Sequence, residues 1–374
     1  MGKVTIIKNG IVFNAVNKAF TKKDIYVKDD EIIAEEDIEE TDLLTEWDAK
    51  GSYVAPGFID MHVHVFENFA QIGINADKIG INQGVTTVVD AGSTGYKDYA
   101  QFKDKIINQH TTEILSLLNV SATGLVEGLD ELSAPEKLMS ERAWETIKAS
   151  EPAIVGLKAR MSQSVVGNQG IRPLEHARKL ADQTDTPIMV HIGSPPPPLN
   201  EILPLLKDGD IVTHAFHGKK GGILDEDGAL IPEAHEALER GVKFDVGHGT
   251  SSFSYQTIKR FKENYSYPFT ISTDVYEKNF EQPVGSLMDT ISKLLAVGYD
   301  LEDLIESVTI LPAKTLSLMN YGSLEPGKKA DITMFHIEKK NRELIDSHGE
   351  VMKVNQRLIP QTTWKNGKIV YQRG

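Results

Sequence analysis

Apolar and polar positions alternate along this chain in two rhythms. Near the start, Val4 to Ile7, Ile11 to Phe13, Asp24 to Val27 and Glu31 to Ala34 are short β-type runs, broken by turn signals at Asn9-Gly10 and Asp29-Asp30. They predict a small antiparallel sheet ending near Gly51. The far end reads alike: Ala330 to His336 and Lys368 to Tyr371 are β-type, and Asn366-Gly367 is a hairpin turn between Thr362-Thr363-Trp364 and Ile369-Val370. Between the ends, apolar strand-length runs alternate with helical ones. The strand candidates are Val54 to Val65, Val85 to Ala91, Glu113 to Val120, Ala153 to Ala159, Pro187 to Ile192, Asp210 to Ala215, Lys243 to Val246 and Phe269 to Thr273. The helical patterns include Tyr99 to Asn108, Pro135 to Ala149, Pro173 to Gln183, Pro232 to Arg240, Tyr255 to Glu263 and Ser286 to Ala296, with Pro135, Pro173 and Pro232 suited to a first turn that needs no amide hydrogen.

Eight such units predict an α/β fold, a (β/α)₈ TIM barrel over residues 54–320. Because the two ends resemble each other and not the middle, they predict one small β-sandwich domain assembled from residues 1–53 and 321–374. Pro195 to Pro198, just after the fifth strand, reads as a stiff rim segment.

Polar residues at the ends of the apolar runs carry the candidate chemistry, since barrel enzymes work at the C-terminal face of the sheet. Strand one ends in His62-Val63-His64; two imidazoles at i and i+2 of a strand share a face, so both can reach one metal ion. Strand four ends in Lys158, strands five and six in His191 and His214, and strand eight in Asp274. Hydrogen-bonded core histidines and a Lys158–Asp274 salt bridge are the metal-free alternative. The lysine separates the two: an ammonium beside metal-binding imidazoles repels a dication, and burial favours the neutral amine. A neutral amine can take up carbon dioxide and become a carbamate, a long carboxylate that can bridge two metals.

Composition narrows the chemistry further. A net charge of −14 without a basic run argues against nucleic acid and anionic membranes as partners. The absence of cysteine removes thiolate nucleophiles and sulfur-built zinc sites, so any metal must sit on imidazole nitrogen and carboxylate-type oxygen. Met1 to Gly10 holds no apolar stretch of signal-peptide length, and no run reaches the roughly 18 apolar residues of a membrane span. A cytoplasmic location is expected.

This set of strand ends resembles the amidohydrolase superfamily, in the form with two metals and a carbamylated lysine. The resemblance spans the chain: end-built β-sandwich, eight-unit barrel, His-x-His on strand one, Lys on strand four, His on strands five and six, Asp on strand eight. It implies two divalent metal ions, zinc by default, with manganese, cobalt or iron as substitutes. His62, His64 and Asp274 would hold the first, His191 and His214 the second, and carbamylated Lys158 would bridge them. Water shared by two dications loses a proton near pH 7, and Asp274 would take and return protons as catalytic base and acid.

Residues just past these ligands are the candidates for substrate contact. Arg160, two positions after Lys158 and on the same side, suits a substrate carboxylate, and Ser93, Thr94, His217 and His248 follow strands two, six and seven. The loop Lys219-Lys220-Gly221-Gly222 lacks the spacing of a phosphate-binding loop.

Within the superfamily the runs Gly84 to Ser93 and Gly156 to Arg160 are similar to a dihydroorotase-like branch that deacylates acylated α-carboxylates. Phe66 stands where dihydroorotases usually carry an arginine, and Lys158 argues against base deamination. The expectation is hydrolysis of an N- or O-acyl α-carboxylate, a small molecule. Cyclic-amide hydrolysis of the dihydroorotase or hydantoinase kind is the alternative, followed by adenine-type deamination or a catalytically silent scaffold subunit. A homo-oligomer is compatible with all of these.

Overall fold

The protein is described from a computed structural model, over residues 2–140, 143–150 and 152–374. Eight strands form one parallel sheet in chain order: β1 (Phe58–Val63), β2 (Val85–Ala91), β3 (Glu113–Asn119), β4 (Ile154–Met161), β5 (Ile188–Ile192), β6 (Ile211–Thr213), β7 (Lys243–Asp245) and β8 (Phe269–Thr270). The sheet curls until its first strand meets the segment that follows its last. Val63 bridges Val275 in parallel, and the amide of His64 donates to the carbonyl of Val275 at 3.1 Å. Near-continuous burial of β1 to β4 explains why they read as apolar runs and not as alternating ones.

Helices cover the outside. The helix Arg172–Thr184 turns Pro173, Leu174, Ala177, Leu180 and Ala181 inward at helical spacing, with Pro173 in its first turn as expected. Pro232 opens the helix Pro232–Glu239. Leu287–Val297 begins with a capping box, Ser286 accepting from the amide of Asp289 and Asp289 reaching back, and ends on Gly298 in the left-handed region. The run Pro135 to Ala149 differs from its prediction: Pro135–Lys137 is a 3₁₀ turn and Ala143–Ala149 a separate helix, while residues 141–142 lie outside the described ones.

Strands from the two ends of the chain pair with each other. Tyr53–Pro56 runs antiparallel to Ile332–Glu338, with Ala55 opposite Thr333. The six-stranded sheet around that ladder also holds Ile11–Asn14, Ala19–Lys22, Arg357–Lys365 and Lys368–Gln372. Asn366 and Gly367, at φ 49° and 71°, make the expected two-residue hairpin turn. A second, four-stranded sheet holds Lys3–Lys8, Ile25–Lys28, Glu31–Ile33 and Leu43–Asp48. Ile7, Val27, Val54, Ile332 and Trp364 belong to one apolar cluster drawn from both sheets.

Two expectations are corrected here. The first four runs do not form one antiparallel sheet: they divide between the two, and Lys3–Lys8 pairs in parallel with Leu43–Asp48, a strand the turn signals did not reveal. Val54 to Val65 is two strands, since Gly57 separates the end-sheet strand Tyr53–Pro56 from β1.

Candidate metal centre

Beneath the mouth of the sheet, Ile59, Met61, Val89, Leu115, Leu117, Met189 and Ile211 form an apolar cluster. It gives the strand ends a rigid base. Directly against it, Lys158 on β4 is fully buried, its Nζ 3.3 Å from the sulfur of Met189 and 3.0 Å from Nε2 of His62.

The strand-end side chains converge here. His62 and His64 place Nε2 at 3.3 and 3.1 Å from one oxygen of Asp274, and ligand atoms of these three residues all lie within 4.8 Å of one another. Nε2 of His214 is 3.8 Å from the other Asp274 oxygen and 2.9 Å from Nδ1 of His191. Among the described residues Asp274 has no ion pair with Lys158; its partners are the three imidazoles. The metal-free alternative read from the sequence therefore lacks its salt bridge.

Hydrogen bonding fixes which ring nitrogens are bare. Asp245 on β7 is fully buried and accepts from the hydroxyls of Ser272, Thr213 and Thr270 at 2.6, 2.7 and 2.9 Å. Thr213 has spent its proton on Asp245, so at 2.8 Å it accepts from Nδ1 of His62, and Nε2 of His62 carries a lone pair. His214 likewise donates from Nδ1 to the carbonyl of Gly247, which leaves its Nε2 bare. Nδ1 of His64 lies 2.9 Å from the hydroxyl of Ser93, whose amide donates to Asp90 at 2.7 Å; Asp90 also accepts from the amide of Val65 at 2.8 Å.

Two bare imidazole nitrogens and a carboxylate facing one small space, with every opposite ring nitrogen anchored, are the donor set a divalent cation takes. The protonation states agree. Burial, reinforced by Lys158, pushes His62 far below the usual imidazole range; burial does the same to His191 and takes His214 down to about 3. Burial also brings the Lys158 amine down to about 7 against the pull of Asp274. For Asp274 burial acts upward but is outweighed, first by the hydrogen bond with His64, so the carboxyl sits below its ordinary value.

The backbone is strained at two of these residues. His214 and Asp274 adopt φ of 66° and 51°, the left-handed region that costs a non-glycine residue about 1–3 kcal/mol. Gly247 and Gly249 let the β7 loop pass: a Cβ on Gly247 would lie 2.1 Å from the Thr213 hydroxyl, and one on Gly249 2.6 Å from an Asp274 oxygen.

A cavity of about 260 Å³ opens over the cluster, lined by His62, His64, Lys158, His191 and Asp274 and further out by Arg160 and Lys219. The other expected substrate residues do not line it. Ser93 is buried behind His64 as its hydrogen-bond partner. Thr94 donates to the carbonyl of Gly95 at 2.9 Å, within its own loop. His248 turns away, with Nε2 2.8 Å from Nζ of the buried Lys293. His217 is buried and accepts the amide of Lys219 on Nδ1 at 3.0 Å. Arg160 does line the cavity, but NH1 lies 2.9 and 3.2 Å from the oxygens of Glu131, a buried acid that no motif signalled.

A curled parallel sheet of eight strands that gathers imidazoles, a lysine and a carboxylate at one mouth is an α/β architecture of hydrolase type with a cluster that can hold a metal. The chain belongs to the amidohydrolase family, whose model matches residues 53–370. It is 42% identical over 322 residues to a deacetylase of Enterococcus faecalis, covering 85% of this chain and 87% of that protein. It is 36% identical to a deacetylase of Brucella anthropi, with 84% and 79% covered. Among solved structures it is similar to one described as an adenine deaminase (TM-score 0.91, 39% identity, 99% of each chain) and to one described as a dihydroorotase (TM-score 0.88, 31% identity, 99% and 98% covered). It is a hydrolase acting on carbon–nitrogen bonds. No helix of the described residues is long and apolar enough to cross a membrane.

Proposed function

We propose that this protein is a cytoplasmic deacetylase of small N- or O-acyl α-carboxylates that works with two divalent cations, zinc by the chemistry of its ligands. The observation that carries this reading is the cluster of bare nitrogens on His62 and His214 around Asp274 and Lys158. The names of the two deacetylases and the cationic side chains of the cavity support the substrate class. In the proposed assignment His62, His64 and Asp274 would hold one cation and His191 and His214 the other, and Lys158 as a carbamate would serve both. The two end-built sheets act in this reading as one β-sandwich domain that braces the barrel.

Lys158 suits carbamylation because burial favours its neutral amine. Its nitrogen forms a bond to the carbon of carbon dioxide, one carbon–oxygen π bond opens onto oxygen, and the nitrogen gives up a proton. The product carries negative charge where an ammonium would face bare imidazoles. When bound, the cations would lower the pKa of a water to about 7 and polarise the acyl carbonyl. Asp274 takes the proton as water attacks that carbonyl carbon. It then delivers the proton to the leaving nitrogen or oxygen as the acyl bond breaks, so one carboxylate serves as base and then acid. Arg160, fixed by Glu131, orients the substrate at the rim. The strained backbone at Asp274 aims the carboxylate before substrate arrives.

The test is elemental analysis of the purified protein joined to a hydrolysis screen. The screen covers N-acetyl amino acids of both configurations, O-acetyl hydroxy acids, dihydroorotate, hydantoins and adenine. Two metals per chain and turnover confined to the acetylated carboxylates are expected. Turnover of dihydroorotate, a hydantoin or adenine in their place would overturn the assignment.

A further inference from the structure

An α-carboxylate substrate needs a counter-charge, and Arg160 and Lys219, both on the cavity wall, are not equivalent in supplying it. The guanidinium of Arg160 is already paired: NH1 contacts both oxygens of Glu131, whose side chain is only 2% exposed, and also reaches the carbonyl of Leu129 at 3.3 Å. A buried carboxylate held this closely offsets part of the field the arginine would offer a second anion, even though burial raises the Glu131 pKa. Lys219 is different. It lines the same cavity, and among the described residues no carboxylate hydrogen-bonds to it; the negative charge it senses is that of Asp274.

The Lys219 loop is built to hold the residue in place. The Lys219 amide donates to Nδ1 of the buried His217 at 3.0 Å, and the Gly218 amide donates to Nε2 of His348 at 3.2 Å. The carbonyl of His217 accepts from the hydroxyl of Thr257 at 3.3 Å. The His217 ring packs under the returning loop, since a Cβ on Gly222 would lie 3.2 Å from its Cε1. Burial pushes His217 down to about 4, so the ring is neutral at working pH and keeps a lone pair on Nδ1 for that amide. The backbone of Lys219 is thus anchored from the loop after β6, from the helix Tyr255–Asn264 and from the turn between Arg342–Ile345 and Val351–Val354.

Resting on the deacetylase reading, we infer that Lys219 is the specificity-determining residue that pairs with the substrate carboxylate. Arg160, its charge met by Glu131, orients the substrate through its remaining N–H groups. His217 acts through Lys219 and is a positioning residue. The class of substrate that follows is an acylated anion whose carboxylate reaches the Lys219 side of the mouth while its acyl carbonyl sits over Asp274.

The experiment compares N-acetylalanine of the preferred configuration with its neutral counterpart N-acetylalaninamide, or O-acetyl-lactate with its amide if the O-acyl class is the one turned over. It uses the metal-loaded wild type, Lys219→Met and Lys219→Arg, all checked for equal metal content. A charged hydrogen bond of ordinary strength predicts that Lys219→Met raises KM for the carboxylate about 10- to 100-fold with kcat little changed, and collapses the preference for carboxylate over amide by the same factor. Lys219→Arg should restore most of that preference. Calorimetric titration of the carboxylate product should show the same loss of affinity. If wild type turns over the carboxylate and Lys219→Met keeps its KM, or loses carboxylate and amide equally, the role of Lys219 is refuted. If wild type turns over no acylated carboxylate, the deacetylase reading itself fails.

Discussion

Thr213→Val isolates the hydrogen-bond relay behind the candidate cation site. The substitution keeps the branched shape at the end of β6 and deletes the hydroxyl that joins His62 Nδ1 to Asp245 at 2.8 and 2.7 Å. Two consequences can be weighed. A buried N–H left without an acceptor costs about 1–3 kcal/mol, and the His62 ring escapes that cost by moving its proton to Nε2, the nitrogen that faces Asp274. A proton there competes directly with a cation. At 1.4 kcal/mol per decade the same interval corresponds to about a 5- to 150-fold loss of affinity, in line with the 10–100-fold typical of groups that orient a metal-binding histidine. Chelator competition with zinc measures the affinity, and urea unfolding of the metal-free protein measures the stability cost. Thr213→Ser keeps the hydroxyl and should bind zinc as wild type does. If Thr213→Val folds and holds zinc within twofold of wild type, the tautomer assigned to His62 is wrong, and with it the argument that the cluster is preset for a cation.

Asp274→Asn removes the group assigned to proton transfer and should lower kcat about 10²- to 10⁴-fold; activity within tenfold of wild type would assign that role elsewhere. Lys158→Ala should abolish turnover, with partial recovery on adding a short carboxylic acid that stands in for the carbamate; full activity without the acid would refute the bridging role. Glu113 on β3 tests the junction between the barrel and the end-built sheets through pH. Burial pushes its carboxyl up, yet Lys365 and Lys329, at 2.6 and 2.8 Å, overcome burial and hold it at about 2 against an ordinary 4.5. Because the folded value lies below the unfolded one, the contribution is complete above pH 4.5 and fades as pH falls toward 2. Glu113→Gln should therefore be less stable than wild type at pH 7 in urea unfolding and lose less on going to pH 3; parallel losses would show that the cluster carries no folding linkage.

The depth at which the sequence was legible follows from what each feature depends on. His62, Lys158 and His191 are readable as candidates because β-strands fix both direction and facing, while His64, His214 and Asp274 lie one, one and four residues past their strands and were found by their place after an apolar run. The Asn366-Gly367 hairpin was readable for a similar reason, since its backbone needs left-handed residues and few sequences supply them. Loops offered no such rule. His248 and Thr94 follow strands as plausibly as any ligand does, yet one turns to Lys293 and the other to its own backbone, because a loop of a few residues can aim a side chain either way. Glu131 was invisible on the same ground: it arrives from a long connection after β3, and only the folded chain brings it to Arg160.

Asp245 and Asp90 could have been found, because both stand at the ends of predicted strands, and a carboxylate in an apolar run must be satisfied by neighbours. What a linear reading lacks is the other half of each pair. Asp245 matters through Thr213 and Ser272, and Asp90 through Ser93, residues too common to signal anything alone. The candidate ligands are therefore written in the sequence as residue types at strand ends. Their protonation and aim are written as hydroxyls and carboxylates one strand away, and these acquire meaning once the parallel register sets Thr213 beside Asp245.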